Sequence, residues 1–87
     1  MAKIEIYSTM ICPFCFRAKA LLRDKGLEFE EIDVLMNGDR KREMVARAGG
    51  RTSVPQIFID DAHVGGCDDL FDAAESGALD RMLGCAA

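Results

Sequence analysis

Hydrophobic residues recur along the chain with two periods, one typical of β-strands and the other of α-helices. Four segments predict strands: residues 3–8, in which apolar and polar residues alternate, residues 27–34, residues 56–60 and a short run around His63 and Val64. The side chains expected to be buried on them are Ile4, Ile6, Phe29, Ile32, Ile57, Phe58 and Ile59. Ile57 and Ile59 should face one side of the sheet and Phe58 the other, because successive side chains on a strand point to opposite faces.

Apolar residues three or four positions apart predict helices between these strands. The helical segments are residues 13–25, 40–48 and 67–75, with a further turn or two around residues 79–83. Pro13 suits the first turn of the first helix, and Gly26 suits the position just after its end. The apolar stripe of this helix consists of Phe14, Ala18, Leu21 and Leu22. The order β-α-β-α-β-β-α predicts an α/β fold, a four-stranded mixed β-sheet flanked by helices on both faces.

The size and composition of the chain indicate its broad class. Its 87 residues fit a single domain spanning residues 1–87. Hydrophobic residues make up 49% and charged residues 30%, a balance typical of folded proteins. No apolar run approaches the ~20 residues that span a bilayer, and residues 1–5 show no signal-peptide pattern. We therefore expect a cytoplasmic protein without a membrane partner, where a close cysteine pair is more often catalytic or metal-binding than structural.

The charged residues are unevenly distributed. The formal net charge is −4, which argues against nucleic acid as a partner. Residues 10–59 nevertheless hold nine of the eleven lysines and arginines, whereas residues 60–87 hold seven acidic residues and one basic residue. The more basic part suits a site for a small anionic thiol, provided that the fold brings those charges together.

Cys12 and Cys15 carry the chemistry that we expect of this chain. They lie three residues apart, after the first strand and at the start of the first helix, a spacing typical of a thioredoxin-type redox motif. Helix N–H groups and the positive end of the helix dipole point at the first sulfur and favour the thiolate, the reactive species in disulfide exchange. We interpret Cys12 as the nucleophile. Cys15, flanked by two phenylalanines and less accessible, is interpreted as the residue that resolves the mixed disulfide.

Zinc binding is the alternative use of such a pair. A structural zinc site takes four Cys or His ligands. Cys67, Cys85 and His63 are available, but they form no second motif of suitable spacing, so we expect no metal. Cys67 is interpreted as a half-buried small residue, Cys85 as an exposed bystander near the C-terminus and His63 as a strand residue.

Two further segments could contact a substrate. Pro55 begins the third strand, and a cis bond between Val54 and Pro55 would leave the Val54 backbone free to pair with an extended peptide-like substrate. Base rates alone favour a trans bond here. The glycines at residues 65–66 permit close approach of backbone, and the helix after them offers N–H groups to a carboxylate. Asp68 could accept a hydrogen bond from an ammonium group. Alternatively, Asp68 and Asp69 both cap the helix and complement its dipole, and we prefer this interpretation for Asp69.

Together these motifs resemble the glutaredoxins, in particular the small bacterial dithiol members of this branch of the thioredoxin superfamily. The matching segments extend over essentially the whole chain: residues 5–7, 12–15, 17–22, 51–59 and 65–70. The cysteine motif alone is moderately specific. Combined with the Val-Pro step and the Gly-Gly-Cys-Asp-Asp segment at these separations, it is highly specific, and the resemblance implies a thioredoxin fold with a cis Pro55.

The resemblance also implies that the chain binds glutathione. Backbone groups of Val54 would pair with the tripeptide, and the Cys67 N–H group and Asp68 would hold its γ-glutamyl end. The implied glutathione-binding residues are Phe14, Ser53, Val54, Pro55, Gly66, Cys67 and Asp68.

Three positions depart from the pattern common in the family. Phe14 stands in place of a tyrosine, Ser53 in place of a threonine, and Thr9 in place of a lysine expected near the thiolate and the glycyl carboxylate. The cations that could substitute for this lysine are Arg17, Arg51 and those of residues 40–42. Arg17 and Lys19 add positive charge near the cysteine pair in the sequence.

The activity implied by the resemblance is a glutathione-dependent thiol–disulfide oxidoreductase that reduces protein–glutathione mixed disulfides and protein disulfides. The implied partners are glutathione as reductant, glutathione reductase with NADPH, and client proteins such as ribonucleotide reductase, with the chain itself a monomer. Two alternatives stay open. One is a thioredoxin-like reductase, disfavoured because the chain has no tryptophan; the other is an iron–sulfur carrier dimer, disfavoured by the stiffness that Pro13 gives the motif.

Overall fold

The computed structural model describes residues 2–84, and Cys85 lies outside the described residues. Within this range four strands and four helices follow one another: β1 (Ile4–Ser8), α1 (Pro13–Asp24), β2 (Glu30–Asp33), α2 (Gly38–Arg47), β3 (Gln56–Ile59), β4 (Ala62–Gly65), α3 (Cys67–Ser76) and α4 (Ala78–Met82). The sheet order is β2-β1-β3-β4. β1 is parallel to β2 and antiparallel to β3, which pairs antiparallel with β4. The predicted mixed sheet is therefore confirmed. None of the helices in residues 2–84 is long and apolar enough to cross a membrane.

Two apolar clusters pack on opposite faces of this sheet. One joins the sheet to α1, α3 and α4 through Ile4, Ile6, Ala18, Leu22, Ile57, Ile59, Cys67, Leu70 and Leu79. The other joins it to α2 through Tyr7, Ile32, Val34, Met44, Ala48 and Phe58. Ile57 and Ile59 thus face one side and Phe58 the other, as the alternation predicts. Helices cover both faces, and α1 meets the sheet with its N-terminal end beside the ends of β1 and β3.

Helix α1 ends where the sequence predicts. Gly26 adopts a φ of +71°, which glycine tolerates without a steric penalty. Its N–H group donates to the Arg23 carbonyl, and the Leu27 N–H donates to the Leu22 carbonyl over 3.0 Å. These two bonds form a Schellman motif, which satisfies carbonyl groups that the helix end would leave free.

Two details of the sequence prediction are wrong. Strand β2 covers Glu30–Asp33 rather than residues 27–34, because Leu27 is bound to the end of α1 and the register with β1 begins only at the pair Glu5–Glu30. Phe14 does not belong to the buried stripe of α1, since 52% of its surface is exposed. The inner face of that helix carries Cys15, Ala18, Lys19 and Leu22 instead.

A buried ion pair lies between the sheet and α2. Arg47 donates to Glu5 Oε1 over 3.0 Å and to the Tyr7 hydroxyl over 2.7 Å, and its guanidinium lies 4.1 Å from the centre of the Phe58 ring. Glu5 is only 6% exposed. The hydrogen bond from Arg47 lowers the pKa of Glu5 from its usual 4.5, against the opposing effect of burial.

Replacing Arg47 with methionine should destabilise the fold by about 2 kcal/mol at neutral pH, because it leaves the Glu5 carboxylate buried without its partner. A depressed carboxyl pKa stabilises the native state above the unfolded value of 4.5, and this contribution is lost as the pH falls through the lower native value. The destabilisation should therefore shrink at about pH 3. Urea unfolding followed by circular dichroism at both pH values measures it.

Arg42→Met is the matched control for this prediction, because Arg42 forms an ion pair with Asp39 on the surface. The Arg42 side chain is 74% exposed and the Asp39 side chain 86%. Exposed pairs contribute little, so this variant should stay within about 0.5 kcal/mol of wild type. Equal losses for the two variants would contradict a stabilising role for the buried pair.

Candidate active site

An open cleft with a volume of about 310 Å³ lies where three segments meet: the start of α1, the loop before β3 and the start of α3. Its lining residues are Phe14, Arg51, Ser53, Val54, Pro55, Gly66, Cys67, Asp68 and Asp69. The structure thus brings together the seven residues that the sequence predicts as glutathione contacts. It adds Arg51 and Asp69 to them.

Cys12 is the N-cap of α1 and lies at this junction. Its extended backbone, with φ −98° and ψ +114°, turns the sulfur back over the first turn of the helix, where the Cys15 N–H donates to it over 3.4 Å. The Cys12 thiol in turn donates to the Val54 carbonyl over 3.7 Å. One sulfur is therefore held between the N-terminal end of a helix and the loop that carries Pro55. A negative charge on this sulfur would be stabilised by the same helix end.

Cys15 has a very different environment. It is fully buried, whereas Cys12 is partly exposed, and both are free thiols. Burial raises the pKa of Cys15 to about 12, an effect opposed by a backbone hydrogen bond from Thr9 and by the charge of Lys19. The sequence prediction that Cys15 is less accessible than Cys12 is confirmed. With its pKa raised to about 12, Cys15 is a thiol at neutral pH.

The bond between Val54 and Pro55 is cis, as the resemblance implies and against the base rate. Hydrogen bonds through Gln56 connect the loop before Pro55 to His63 on β4. Gln56, fully buried, donates through Nε2 to the Ser53 carbonyl over 3.0 Å, and its Oε1 lies 2.6 Å from His63 Nε2. Because Oε1 can only accept, His63 carries its proton on Nε2. Burial lowers the pKa of His63, as does the nearby Arg51 charge.

Helix α3 begins at the opposite wall of the cleft. Gly66 is its N-cap, and its N–H group donates to Asp69 Oδ2 over 2.9 Å. The predicted role of Asp69 as a helix cap is thus confirmed. The same oxygen accepts from Arg51 over 3.2 Å, and these two bonds lower the pKa of Asp69. The Asp68 side chain is exposed at the start of the helix, where backbone N–H groups have no partner within the helix.

The structure places one of the cations that could replace the family lysine in the lining of the cleft. Arg51 lines the cleft. Arg17 lies over the Phe71 ring at 5.6 Å, outside the lining. Arg40 pairs with Glu43 on α2, and Arg42 pairs with Asp39. Arg51 is thus the cation best placed to meet an anion in the cleft.

Sequence reasoning missed three parts of this arrangement. It did not predict the ion pair between Arg51 and Asp69 or the chain from Ser53 through Gln56 to His63. It also placed Lys19 near the cysteine pair but did not predict that this lysine is buried. The spacing of four residues between Cys15 and Lys19 was the available signal, because it puts both on one helix face. Within the described chain, no three His, Cys, Asp or Glu side chains lie close enough together to hold a metal ion.

Comparison with known proteins identifies the family. The family model described as glutaredoxin matches residues 4–64. The chain is 52% identical to glutaredoxin 3 of Escherichia coli K12 over 83 residues, 95% of this chain and 99% of that protein. The solution structure of glutaredoxin from Brucella melitensis superimposes with a TM-score of 0.83 at 48% identity, covering 98% of this chain and 91% of the other. A buckwheat glutaredoxin–glutathione complex gives 0.82 at 28% identity, covering 99% and 83%.

The four-stranded mixed sheet with flanking helices is a thioredoxin-like fold, and its Cys-Pro-Phe-Cys pair is of the type used in thiol–disulfide exchange. The chain belongs to the glutaredoxin family. It is therefore a thiol–disulfide oxidoreductase, and the resemblance stated from its sequence is confirmed.

Proposed function

We propose that this glutaredoxin uses glutathione to reduce protein–glutathione mixed disulfides and protein disulfides, with Cys12 as the nucleophile and Cys15 as the resolving cysteine. One observation carries the proposal. The seven residues expected to contact glutathione line a single cleft, beside a partly exposed sulfur that accepts a helix N–H bond. The buckwheat relative whose structure contains glutathione supports the same ligand.

Glutathione would lie in the cleft as a short extended strand along the cis-proline loop. The N–H and C=O groups of Val54 would pair with its backbone, which brings its sulfur towards Cys12. The N–H groups at the start of α3 would bind the γ-glutamyl carboxylate, and Asp68 would accept from the adjacent ammonium. Arg51 lines the same cleft and pairs with Asp69 at the start of α3, so it would add positive charge near the γ-glutamyl carboxylate.

In the monothiol route the Cys12 thiolate attacks the glutathione sulfur of a mixed disulfide. A bond forms between Cys12 and glutathione, the bond to the client protein breaks, and the client leaves as a thiolate that takes a proton from water. The thiolate of a second glutathione then attacks the bound glutathione sulfur. Glutathione disulfide leaves, and the Cys12 thiolate is restored.

In the dithiol route the Cys12 thiolate attacks a disulfide of a client protein, forms a bond to one client sulfur and releases the other as a thiolate. Cys15 loses its proton to solvent and attacks Cys12, which expels the second client sulfur as a thiolate. The two protein cysteines are oxidised to a disulfide and the client is reduced by two electrons. Two glutathione molecules then reduce the Cys12–Cys15 bond. Glutathione reductase and NADPH would regenerate glutathione, ribonucleotide reductase is a candidate client, and the protein would act as a monomer.

The source of electrons tests the proposal. Turnover of a glutathionylated peptide should be followed through NADPH oxidation in two mixtures, one with glutathione and glutathione reductase and the other with thioredoxin reductase alone. We expect turnover in the first mixture and at most a small fraction of it in the second. The reverse result would assign the chain to thioredoxin-like reduction and reject glutathione dependence.

A further inference from the structure

Lys19 is a buried cation that neither route described above uses. It is 6% exposed, although a lysine is almost never fully buried unless its charge is paired. Its Nζ donates to Glu31 Oε2 over 2.7 Å, and the same oxygen accepts from the Ser8 hydroxyl over 2.8 Å. The ammonium group also lies 5.0 Å from the centre of the Phe16 ring. The charge is thus fixed in one place beneath α1.

The resolving cysteine is carried by the same helix as this fixed charge. Lys19 follows Cys15 by four residues on α1, so the two side chains share a helix face. Both are buried on the inner face of that helix. The positive charge of Lys19 favours ionisation of Cys15 and opposes the effect of burial on the pKa of that thiol.

The dithiol route requires the Cys15 thiol to ionise in a buried setting, where an isolated thiolate is poorly solvated. We propose that Lys19, held in place by Glu31, supports the resolving step by stabilising the negative charge that develops on the Cys15 sulfur as it attacks Cys12. Lys19 acts as a positioning residue, since its ammonium group makes no hydrogen bond to the sulfur in the structure.

This inference rests on the roles proposed for Cys12 and Cys15, and it makes the two routes depend differently on one residue. In the resolving step the Cys15 proton goes to solvent, and its sulfur electron pair forms the bond to Cys12. The electron pair of the broken bond leaves with the client sulfur. The monothiol route never ionises Cys15, so removal of the Lys19 charge should leave that route intact.

The two chemical steps can be timed separately with one equivalent of an aromatic nitrobenzoate disulfide, whose thiolate product is yellow. Attack by Cys12 releases the first thiolate, and attack by Cys15 on the resulting mixed disulfide releases the second. The reaction is followed by stopped flow in a background with Cys67→Ser and Cys85→Ser, so that only the pair reacts. The same background with Cys15→Ser should release only the first thiolate.

Lys19→Gln should slow the second phase about five- to ten-fold and leave the first within about two-fold. Without the lysine charge a smaller fraction of Cys15 is ionised, and the higher nucleophilicity of the remaining Cys15 thiolate offsets part of this loss. Lys19→Arg keeps the charge and should restore the second phase. Lys25→Gln makes the same change of charge at an exposed position of the same region and should leave both phases unchanged. A second phase unaffected by Lys19→Gln, or two phases slowed equally, would overturn the proposal.

Glu31→Gln separates the charge from the ion pair. It keeps the lysine and an amide oxygen that still accepts from Nζ, so the second phase should slow less than in Lys19→Gln. Equal slowing in the two variants would mean that the pair acts only through structure, and would overturn the proposal. A wild-type protein that releases one thiolate only would instead reject the role of Cys15, and this inference with it. A normal wild-type second phase that Lys19→Gln leaves unchanged rejects the inference alone.

Discussion

Replacing Cys12 with serine is expected to reduce turnover of a glutathionylated peptide by at least about a thousand-fold, because a hydroxyl group cannot replace the thiolate as nucleophile. Cys15 cannot take over, since it is fully buried and burial raises its pKa to about 12. Cys15→Ser should keep activity on this substrate within about ten-fold of wild type, because the monothiol route needs only the first sulfur. The glutathione-coupled assay with NADPH and glutathione reductase measures all three proteins.

The Cys67→Ser variant is the matched control for this prediction. Cys67 also lines the cleft and is a free thiol, but it is 5% exposed and burial raises its pKa. It should therefore contribute through its backbone rather than its sulfur, and the variant should turn over at a rate close to that of wild type. Activity that survives Cys12→Ser, or that disappears equally in Cys15→Ser, would contradict the assignment of the nucleophile.

Most of the fold could be predicted from the sequence because its signals are local. The alternation of Ile57, Phe58 and Ile59 specifies two faces of one strand, and the two clusters of the structure use those two faces. Gly26 marks the end of α1 because the backbone there needs a positive φ. The hairpin between β3 and β4 turns at Asp60 and Asp61, which both adopt positive φ, as a type I′ two-residue turn requires.

The errors in the sequence analysis arise where tertiary contacts decide. Phe14 has the spacing of the apolar stripe of α1, but it lies in the first turn, where the helix borders the cleft instead of the core. Lys19 looks like a surface residue until β2 places Glu31 beside it. A partner twelve residues away on another element leaves no local pattern, so the ion pair could not be predicted, although the spacing from Cys15 indicates the inner face of the helix.

The candidate site shows the same division. Residues within one motif, such as Cys12 and Cys15, could be assigned roles from spacing alone. The contact between Cys12 and the Val54 carbonyl joins residues 42 positions apart, and no local pattern in the sequence predicts it. Arg51 was one of several candidate cations, and only the fold separates it from Arg17. Its ion pair with Asp69 also connects the cleft to the start of α3.

Gly65 occupies the most constrained backbone position next to this cleft. Its φ is +121°, which residues with a side chain rarely adopt. A Cβ at this position would meet the Asp69 side chain, with 2.7 Å to Cγ and 2.8 Å to Cβ. Asp69 is the carboxylate that caps Gly66 and binds Arg51, so it cannot move aside without losing both bonds.

Gly65→Ala is therefore expected to destabilise the protein by about 3–5 kcal/mol, the sum of backbone strain and overpacking. Gly26→Ala is the matched control, because its φ is +71° but no atom lies within 4 Å of the added Cβ; it should cost about 1 kcal/mol. Urea unfolding followed by circular dichroism compares the two. Equal losses of stability in the two variants would show that Asp69 accommodates the methyl group. A larger loss for Gly65→Ala, together with weaker binding of glutathione, would show that the cap of α3 and the position of Arg51 depend on the absence of a side chain at Gly65.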